Sequence, residues 1–366
     1  MMKIGITGAA GMIGWHLRSF LEMKGVSQIK IATRETFKSK KALTSFVKNT
    51  DVIIHLACQC KGNDLIEVNN KIDQSLTNII DELSCNPHLI FSSSTHIDIN
   101  KLSEYAQSKV ASSNYFKEWS KNKGIKFTNL IVPHVFGETG KPFHNSVVST
   151  FCHQLANGEK IELLVDKKLE LIHSQKLSEL IYEIAVKSTV GEILIPGEIV
   201  KVSQVMSKLI LFNQKYRENT IPILENDFDV DLFNTYRSYL PSSYYPVYFE
   251  NHFDDRGSFY ELSKTLNGGQ CNLSTTKIGI TRGNHYHHEK IERFVVLAGK
   301  AKISLRKKYQ NDVVEYIVDG DIPSYVDIPT FYIHNIENIG DSEMMVFFWT
   351  HQLFDSNNPD TFYEEV

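Results

Sequence analysis

The sequence predicts two folding units in series, an α/β unit on a doubly wound parallel sheet and then an all-β barrel. Three observations carry this expectation. The first two thirds alternate short β-branched runs with helical stretches, the pattern of βα units. The last third holds short strand-like runs separated by turns, with no helical pattern between them. A chain of 366 residues also exceeds what one ordinary core organises.

In chain order, strands are expected at Lys3–Thr7, Gln28–Thr33, Asp51–Ala57, His88–Ser93, Lys126–Val132 and Glu192–Pro196, with helices such as Met12–Lys24 and Lys109–Lys123 between them. The pattern turns irregular over Leu209–Tyr239 and reaches Leu240-Pro241-Ser242-Ser243-Tyr244-Tyr245-Pro246. Two prolines and a serine pair interrupt both periodicities, so the boundary is set here, giving domains over residues 1–245 and 246–366. Beyond it, Phe294–Leu297, Ala301–Leu305, Val313–Val318 and Met344–Trp349 read as short strands.

Composition narrows the function classes. The 42% apolar and 22% charged content is that of a globular chain, and a net charge of −4 offers no basic field for nucleic acid or an anionic membrane. No apolar run approaches the ~18 residues of a membrane span, and the N-terminus enters a strand without a signal-like apolar segment. The 5 cysteines are odd in number and lack CxxC spacing, so they read as reduced packing thiols of a cytoplasmic protein.

Thr7-Gly8-Ala9-Ala10-Gly11-Met12-Ile13-Gly14 leaves the first strand and opens the first helix. Glycines there allow a tight turn and close approach of the backbone to a pyrophosphate, which the helix N-terminus favours. Gly8, Gly11, Met12 and Ile13 are therefore candidate dinucleotide contacts, with Leu56 and Ala57 at the end of the Asp51–Ala57 strand. The second strand ends in Ala32-Thr33-Arg34, with Lys38, Lys40 and Lys41 following. A cation suits a 2′-phosphate where an acid would suit a ribose diol, so Arg34 favours NADPH over NADH. Tyr105-Ala106-Gln107-Ser108-Lys109 puts a phenol and an ammonium on one helix face, where the charge is expected to lower the tyrosine pKa. Ser94, closing a Phe91-Ser92-Ser93-Ser94 strand end, supplies a hydroxyl for the same reacting oxygen.

The second motif is richer. His285-Tyr286-His287 places two imidazoles on one strand face, Glu292 follows a short turn, and His334 comes some 40 residues later. Three histidines and a glutamate suit Zn²⁺, with Fe, Mn or Ni as alternatives. His285 keeps two readings, fourth ligand or general base, since a metal-bound imidazole nitrogen is no base.

On these residues the first domain resembles the extended short-chain dehydrogenase/reductases, with a Rossmann-type sheet. The second resembles the cupins, all-β jelly-roll barrels, through HxHx4E and a PxGxxHx3N-like segment with Phe331 in the glycine place. The reductase resemblance implies Ser94 as carbonyl hydrogen-bond donor, Tyr105 as proton donor, Lys109 as activator and ribose ligand, and Asn69 (beside Asn70) as their support. It also implies Asn145 as a substrate contact. Thr95-His96 stand where sugar dehydratases carry an acid pair, which argues for reduction. Ile131, His134 and Lys176-Leu177-Ser178-Glu179 depart from the family on the substrate side. Phe253–Glu261 and Thr281–Tyr286 resemble sugar-nucleotide 3,5-epimerases, implying Arg256 and Arg282 as substrate contacts and His285 as base.

Taken whole, the chain resembles the bifunctional capsular-polysaccharide enzymes of the CapF family. That resemblance implies a UDP-linked amino-deoxy keto sugar as substrate, C3 epimerisation in the cupin, C4 reduction by NADPH in the first domain, and a homodimer. A rival reading keeps the cupin as isomerase or sugar-nucleotide sensor and makes the dinucleotide domain regulatory.

Overall fold

The computed structural model describes residues 2–62, 64–95, 103–248, 252–254, 257–259, 264–265, 269–352 and 357–366. By internal contact the chain forms two compact units, residues 1–149 with 164–202 and residues 150–163 with 203–366. The stretch 203–245 thus groups with the barrel.

The first unit is the expected Rossmann-type sheet. Strands β1 (Ile4–Thr7), β2 (Ile29–Ala32), β3 (Val52–His55), β4 (His88–Ser94), β5 (Phe127–Val132) and β8 (Gly191–Leu194) lie in the order β2-β1-β3-β4-β5-β8. Every pairing in it is parallel. Helices α1 (Met12–Met23), α2 (Arg34–Lys38), α3 (Lys40–Val47), α4 (Leu65–Glu82) and α5 (Glu104–Lys123) connect the first five strands. Leu17 and Leu21 of α1 bury against Ile4, Ile6 and Ile54, while Phe116 and Trp119 of α5 pack with Ile53, Leu89 and Phe91. Those apolar faces sit at helical spacing, which is why the sheet's continuous apolar strands are covered. Helix α5 starts where Ser103 caps the Ala106 N–H (3.1 Å) and ends at Gly124, whose φ of +69° suits glycine. A smaller sheet joins β6 (His134–Phe136), β7 (Lys168–His173) and β9 (Glu198–Lys201), between which run α6 (Val147–Ala156) and α7 (Ser174–Lys187). The strand-to-helix junction lies at His173–Ser174, so Lys176–Glu179 falls inside α7.

The second unit opens with α8 (Val202–Arg217), β10 (Thr220–Ile221), α9 (Asp227–Arg237) and β11 (Val247–Tyr248). The barrel strands are β15 (Gln270–Thr276), β16 (Thr281–Tyr286), β17 (Glu292–Ala298), β18 (Lys300–Lys307), β19 (Val313–Asp319), β20 (Ser324–Ile328), β21 (Tyr332–Asn338), β22 (Met344–Thr350) and β23 (Phe362–Tyr363). They form two five-stranded sheets, β11-β20-β17-β22-β15 and β19-β18-β21-β16-β23, with short pieces β12 (His252–Asp254), β13 (Gly257–Phe259) and β14 (Lys264–Thr265) alongside. Neighbours within both large sheets are antiparallel, the expected all-β jelly-roll arrangement. Val295, Ile303, Val318, Val326, Ile336 and Val346 fill the core between the sheets.

One buried ion pair ties the helical lead-in to the barrel. Arg293 Nε and Nη2 donate to Asp327 at 2.8 and 3.0 Å, both residues being fully buried. Tyr216 of α8 also donates to Asp327, and Arg237 of α9 donates to the Ile328 carbonyl at 2.7 Å. The Arg293 guanidinium lies 3.8 Å from the Tyr325 ring centre. This contact set explains physically why residues 203–245 pack with the barrel. Replacing Asp327 by alanine strands a buried guanidinium and is expected to cost about 3–5 kcal/mol in denaturant unfolding. An unchanged midpoint would contradict a structural role for the pair.

Candidate functional site

In the first unit the glycine-rich turn is sterically required. A Cβ on Gly8, whose φ is +71°, would lie 2.8 Å from the Ala57 nitrogen. One on Gly14 would lie 2.5 Å from the Gly8 oxygen. Gly11 is the N-cap of α1 without any side-chain cap, so the leading N–H groups at Met12 and Ile13 face outward from the turn. Thr7 Oγ1 accepts the Leu56 and Ala57 N–H groups at 3.1 Å each and contacts His55 Nδ1 at 2.8 Å, while His55 Nε2 meets Asp73 at 3.0 Å. This buried Asp73–His55–Thr7 chain, invisible as a motif, fixes the rim formed by Leu56 and Ala57. Arg34 opens α2, exposed and without an ion pair among the described residues, whereas Lys38 and Lys40 pair with Glu35 and Glu82. A backbone cradle, an uncapped helix N-terminus and an unclaimed guanidinium are the donor set that a phosphorylated dinucleotide needs.

Ser94, Tyr105 and Lys109 come together beside this cradle. The Ser94 hydroxyl hydrogen-bonds the Tyr105 phenol. Lys109 Nζ is buried, donates to the Ser92 carbonyl at 2.7 Å, and lies 4.9 and 5.9 Å from the Phe91 and Tyr105 ring centres. Asn69 is turned inward. Its amide donates to Ser108 Oγ (2.8 Å) and the Gln59 carbonyl (3.0 Å) and accepts the Gln59 N–H (2.7 Å). One expectation is corrected. Burial pushes the Tyr105 phenol up to about 12, outweighing the pull of Lys109 and the Ser94 hydrogen bond. Lys109 keeps its proton, because Cys58, Tyr105 and Cys60 offset its own burial. The phenol is therefore the protonated partner, an acid rather than a base at neutral pH.

Asn145 lies exposed in the turn 142–145 before α6, a turn that Lys61 Nζ ties to the 58–61 loop through the Phe143 carbonyl (3.1 Å). At the β7–α7 junction Glu138 sits between His173 Nε2 (3.1 Å) and His16 Nε2 (3.4 Å), all three buried. That buried cluster lies just before Lys176–Glu179, the segment that departs from the family.

In the second unit His285, His287, Glu292 and His334 offer ligand atoms that all lie within 4.8 Å of one another. A bulge between Gly283 and His285 aims this set. Gly283 has a φ of +104°, and a Cβ there would lie 2.9 Å from the His334 carbonyl. His285 then pairs across the strand with His334, their ring centres 4.5 Å apart, and the His287 ring lies 4.9 Å from His285. Phe331, in the glycine place of the second motif, keeps the left-handed turn with a φ of 62°. Its N–H donates to the His287 carbonyl at 2.9 Å, and its ring packs 5.0 Å from His288.

Backbone carbonyls set the tautomers. His287 Nδ1 donates to the Asp360 carbonyl and His334 Nδ1 to the Tyr332 carbonyl at 3.2 Å. Each Nε2 therefore carries a lone pair, and these lie 2.9 and 3.4 Å from the same Glu292 oxygen. His334 Nε2 is buried and makes no hydrogen bond. Acceptors converging on a buried carboxylate repel one another unless a cation lies among them, so this set fits a divalent metal. Burial above all pushes His285 down to about 4. It is the one ring of the three that is not fully buried, with its lone pair available at neutral pH. Arg282 is exposed three residues earlier, and Arg256 lies outside the described residues.

The NAD dependent epimerase/dehydratase family matches residues 4–194, and the polysaccharide biosynthesis C-terminal domain matches residues 252–362. The crystal structure of the capsular polysaccharide assembling protein CapF from Staphylococcus aureus is 34% identical, with 100% of both chains covered and a TM-score of 0.62. The chain belongs to the CapF family. A Pseudomonas aeruginosa relative, UDP-2-acetamido-2,6-beta-L-arabino-hexul-4-ose reductase, is 27% identical over 99% of this chain and 98% of its own. A UDP-N-acetylglucosamine 4-epimerase from Methanobrevibacter ruminantium, at 16% identity and a TM-score of 0.52, covers 65% of this chain and 98% of its own and shares the fold.

Asp360 is the residue beside the His/Glu cluster that motif spacing did not reveal. Its carboxylate accepts the N–H groups of His288 (2.9 Å), Glu289 (2.9 Å) and Lys290 (2.6 Å), clamping the turn between His287 and Glu292. Asp360→Ala is expected to weaken Zn²⁺ binding, measured by competition with a chromogenic chelator, about 10–100-fold. Affinity equal to wild type would remove Asp360 from the support of the site.

Proposed function

We propose that the chain is a bifunctional nucleotide-sugar enzyme of capsular or O-antigen polysaccharide synthesis. The cupin unit epimerises C3 of a UDP-2-acetamido-2,6-dideoxy-4-hexulose, and the Rossmann-type unit reduces C4 with NADPH. The protonated Tyr105, hydrogen-bonded to Ser94 and beside a buried Lys109, carries the reading, because a carbonyl reduction needs an acid at the nascent oxygen. End-to-end likeness to a relative named as a hexulose reductase supports the substrate class.

Gly8, Gly11, Met12, Ile13 and Arg34 would hold NADPH, which would supply the hydride. Tyr105 gives its phenolic proton to the C4 oxygen, and Ser94 orients that oxygen by hydrogen bonding. Lys109 offsets the phenolate charge left on Tyr105, while Asn69 holds Ser108 and the Gln59 backbone around it. Asn145 faces the sugar nucleotide from the turn before α6.

In the cupin, His287, Glu292 and His334 would hold a divalent cation, zinc suiting the N/O set, and it would supply a Lewis acid for the keto oxygen. His285, neutral and half-buried, takes the C3 proton as general base and returns one to the opposite face by way of solvent. Arg282 and Arg256 meet the diphosphate.

Two variants separate the activities in deuterated water with the 4-keto UDP-sugar. Tyr105→Phe is expected to lower NADPH consumption about 10²–10⁴-fold while deuterium still enters C3. His285→Asn is expected to stop C3 exchange without that effect on reduction of pre-epimerised sugar. C4 reduction undiminished in Tyr105→Phe would sink the reductase assignment.

A further inference from the structure

The loop after β3 carries chemistry that neither activity uses. Cys58 and Cys60 flank Gln59, whose N–H and carbonyl are both clamped by Asn69, at 2.7 and 3.0 Å. With the backbone pinned between them, the two Sγ atoms lie in contact at 3.4 Å. Both residues are partly buried, whereas Cys152 is fully buried. The Cys60 hydrogen bond first, then the charge of Lys109, draws the Cys58 thiol below its ordinary range despite burial. A partly buried thiol that touches a second thiol and faces a cation has the features of a peroxide-reactive centre with its own resolving cysteine.

We propose that Cys58 and Cys60 are a thiol-oxidation site at which hydrogen peroxide closes a disulfide and switches off the reductase unit. The Cys58 thiolate attacks the peroxide O–O bond, forming a sulfenic acid and releasing hydroxide, which takes up a proton to leave as water. The Cys60 thiol then attacks that sulfur, an S–S bond forms, and a second water leaves. Two thiols are oxidised by two electrons and one peroxide is reduced to two waters. Closure takes sulfur away from Lys109 and tightens the chain around Gln59. That chain runs directly into the Leu56–Ala57 rim held by Thr7 and contacts Asn69, so the dinucleotide bed and the lysine support shift together. The inference rests on the reductase reading for its activity readout only.

The experiment treats the full-length chain with hydrogen peroxide, removes the excess, and compares it with the same chain after dithiothreitol. Peptide mass mapping is expected to find the segment holding Cys58 and Cys60 lighter by two hydrogens and blind to alkylation. NADPH oxidation with the keto sugar is expected to fall about tenfold or more, as misplacement near a reacting centre does, and to return with dithiothreitol. A Cys58→Ser/Cys60→Ser double variant, compared with itself before and after peroxide, is expected to keep its rate, and Cys60→Ala serves if the double variant does not fold, forming no intramolecular disulfide. Absence of the Cys58–Cys60 disulfide, or its presence with an unchanged rate, overturns the proposal. If the untreated chain consumes no NADPH, the reductase reading fails separately. The switch is then judged by NADPH affinity of the reduced and oxidised chain, and equal affinities overturn it.

Discussion

A charge removed from water must find partners, and each unit of this protein is arranged around one such charge. In the Rossmann-type unit it is Lys109, a buried ammonium held by the Ser92 carbonyl and the faces of Phe91 and Tyr105. In the barrel it is Glu292, a carboxylate met by two imidazole nitrogens whose protons are committed elsewhere. The first charge has its partners within the chain. The second has only lone pairs, which is the physical reason to assign a cation to the barrel.

The same constraint separates the two chemistries. Around Lys109, burial keeps the Tyr105 phenol protonated, as a proton donor to a carbonyl oxygen requires. Beside Glu292, burial above all keeps His285 neutral, as a proton acceptor requires. One environment readies an acid and the other a base. A sugar whose keto group activates its C3 proton and is then reduced needs both in that order.

Much of this was legible in local sequence. The Gly8–Gly14 turn, the i,i+4 spacing of Tyr105 and Lys109, and the i,i+2 spacing of His285 and His287 are short-range patterns whose geometry follows from strand and helix periods. The parallel sheet and the antiparallel barrel followed from hydrophobic periodicity. What escaped were relations between distant segments and balances of opposing terms. Asp360 clamps the ligand turn from about 70 residues away with no motif to mark it. Asp73, His55 and Thr7 meet only once β1, β3 and α4 are assembled. The direction of the Tyr105 shift depended on burial beating a nearby charge, and spacing reveals the charge but not the burial. Cys58 and Cys60, read as packing residues, are paired because Asn69 fixes the backbone between them.

The account stands most directly on the cation at Glu292. Crystals of zinc-loaded protein, measured on either side of the zinc absorption edge, test it. The account predicts one anomalous peak per chain, about 2.0–2.2 Å from Nε2 of His287, Nε2 of His334 and a Glu292 oxygen. A well-ordered barrel in saturating zinc with no peak there, and His334 Nε2 still without a partner, would contradict it.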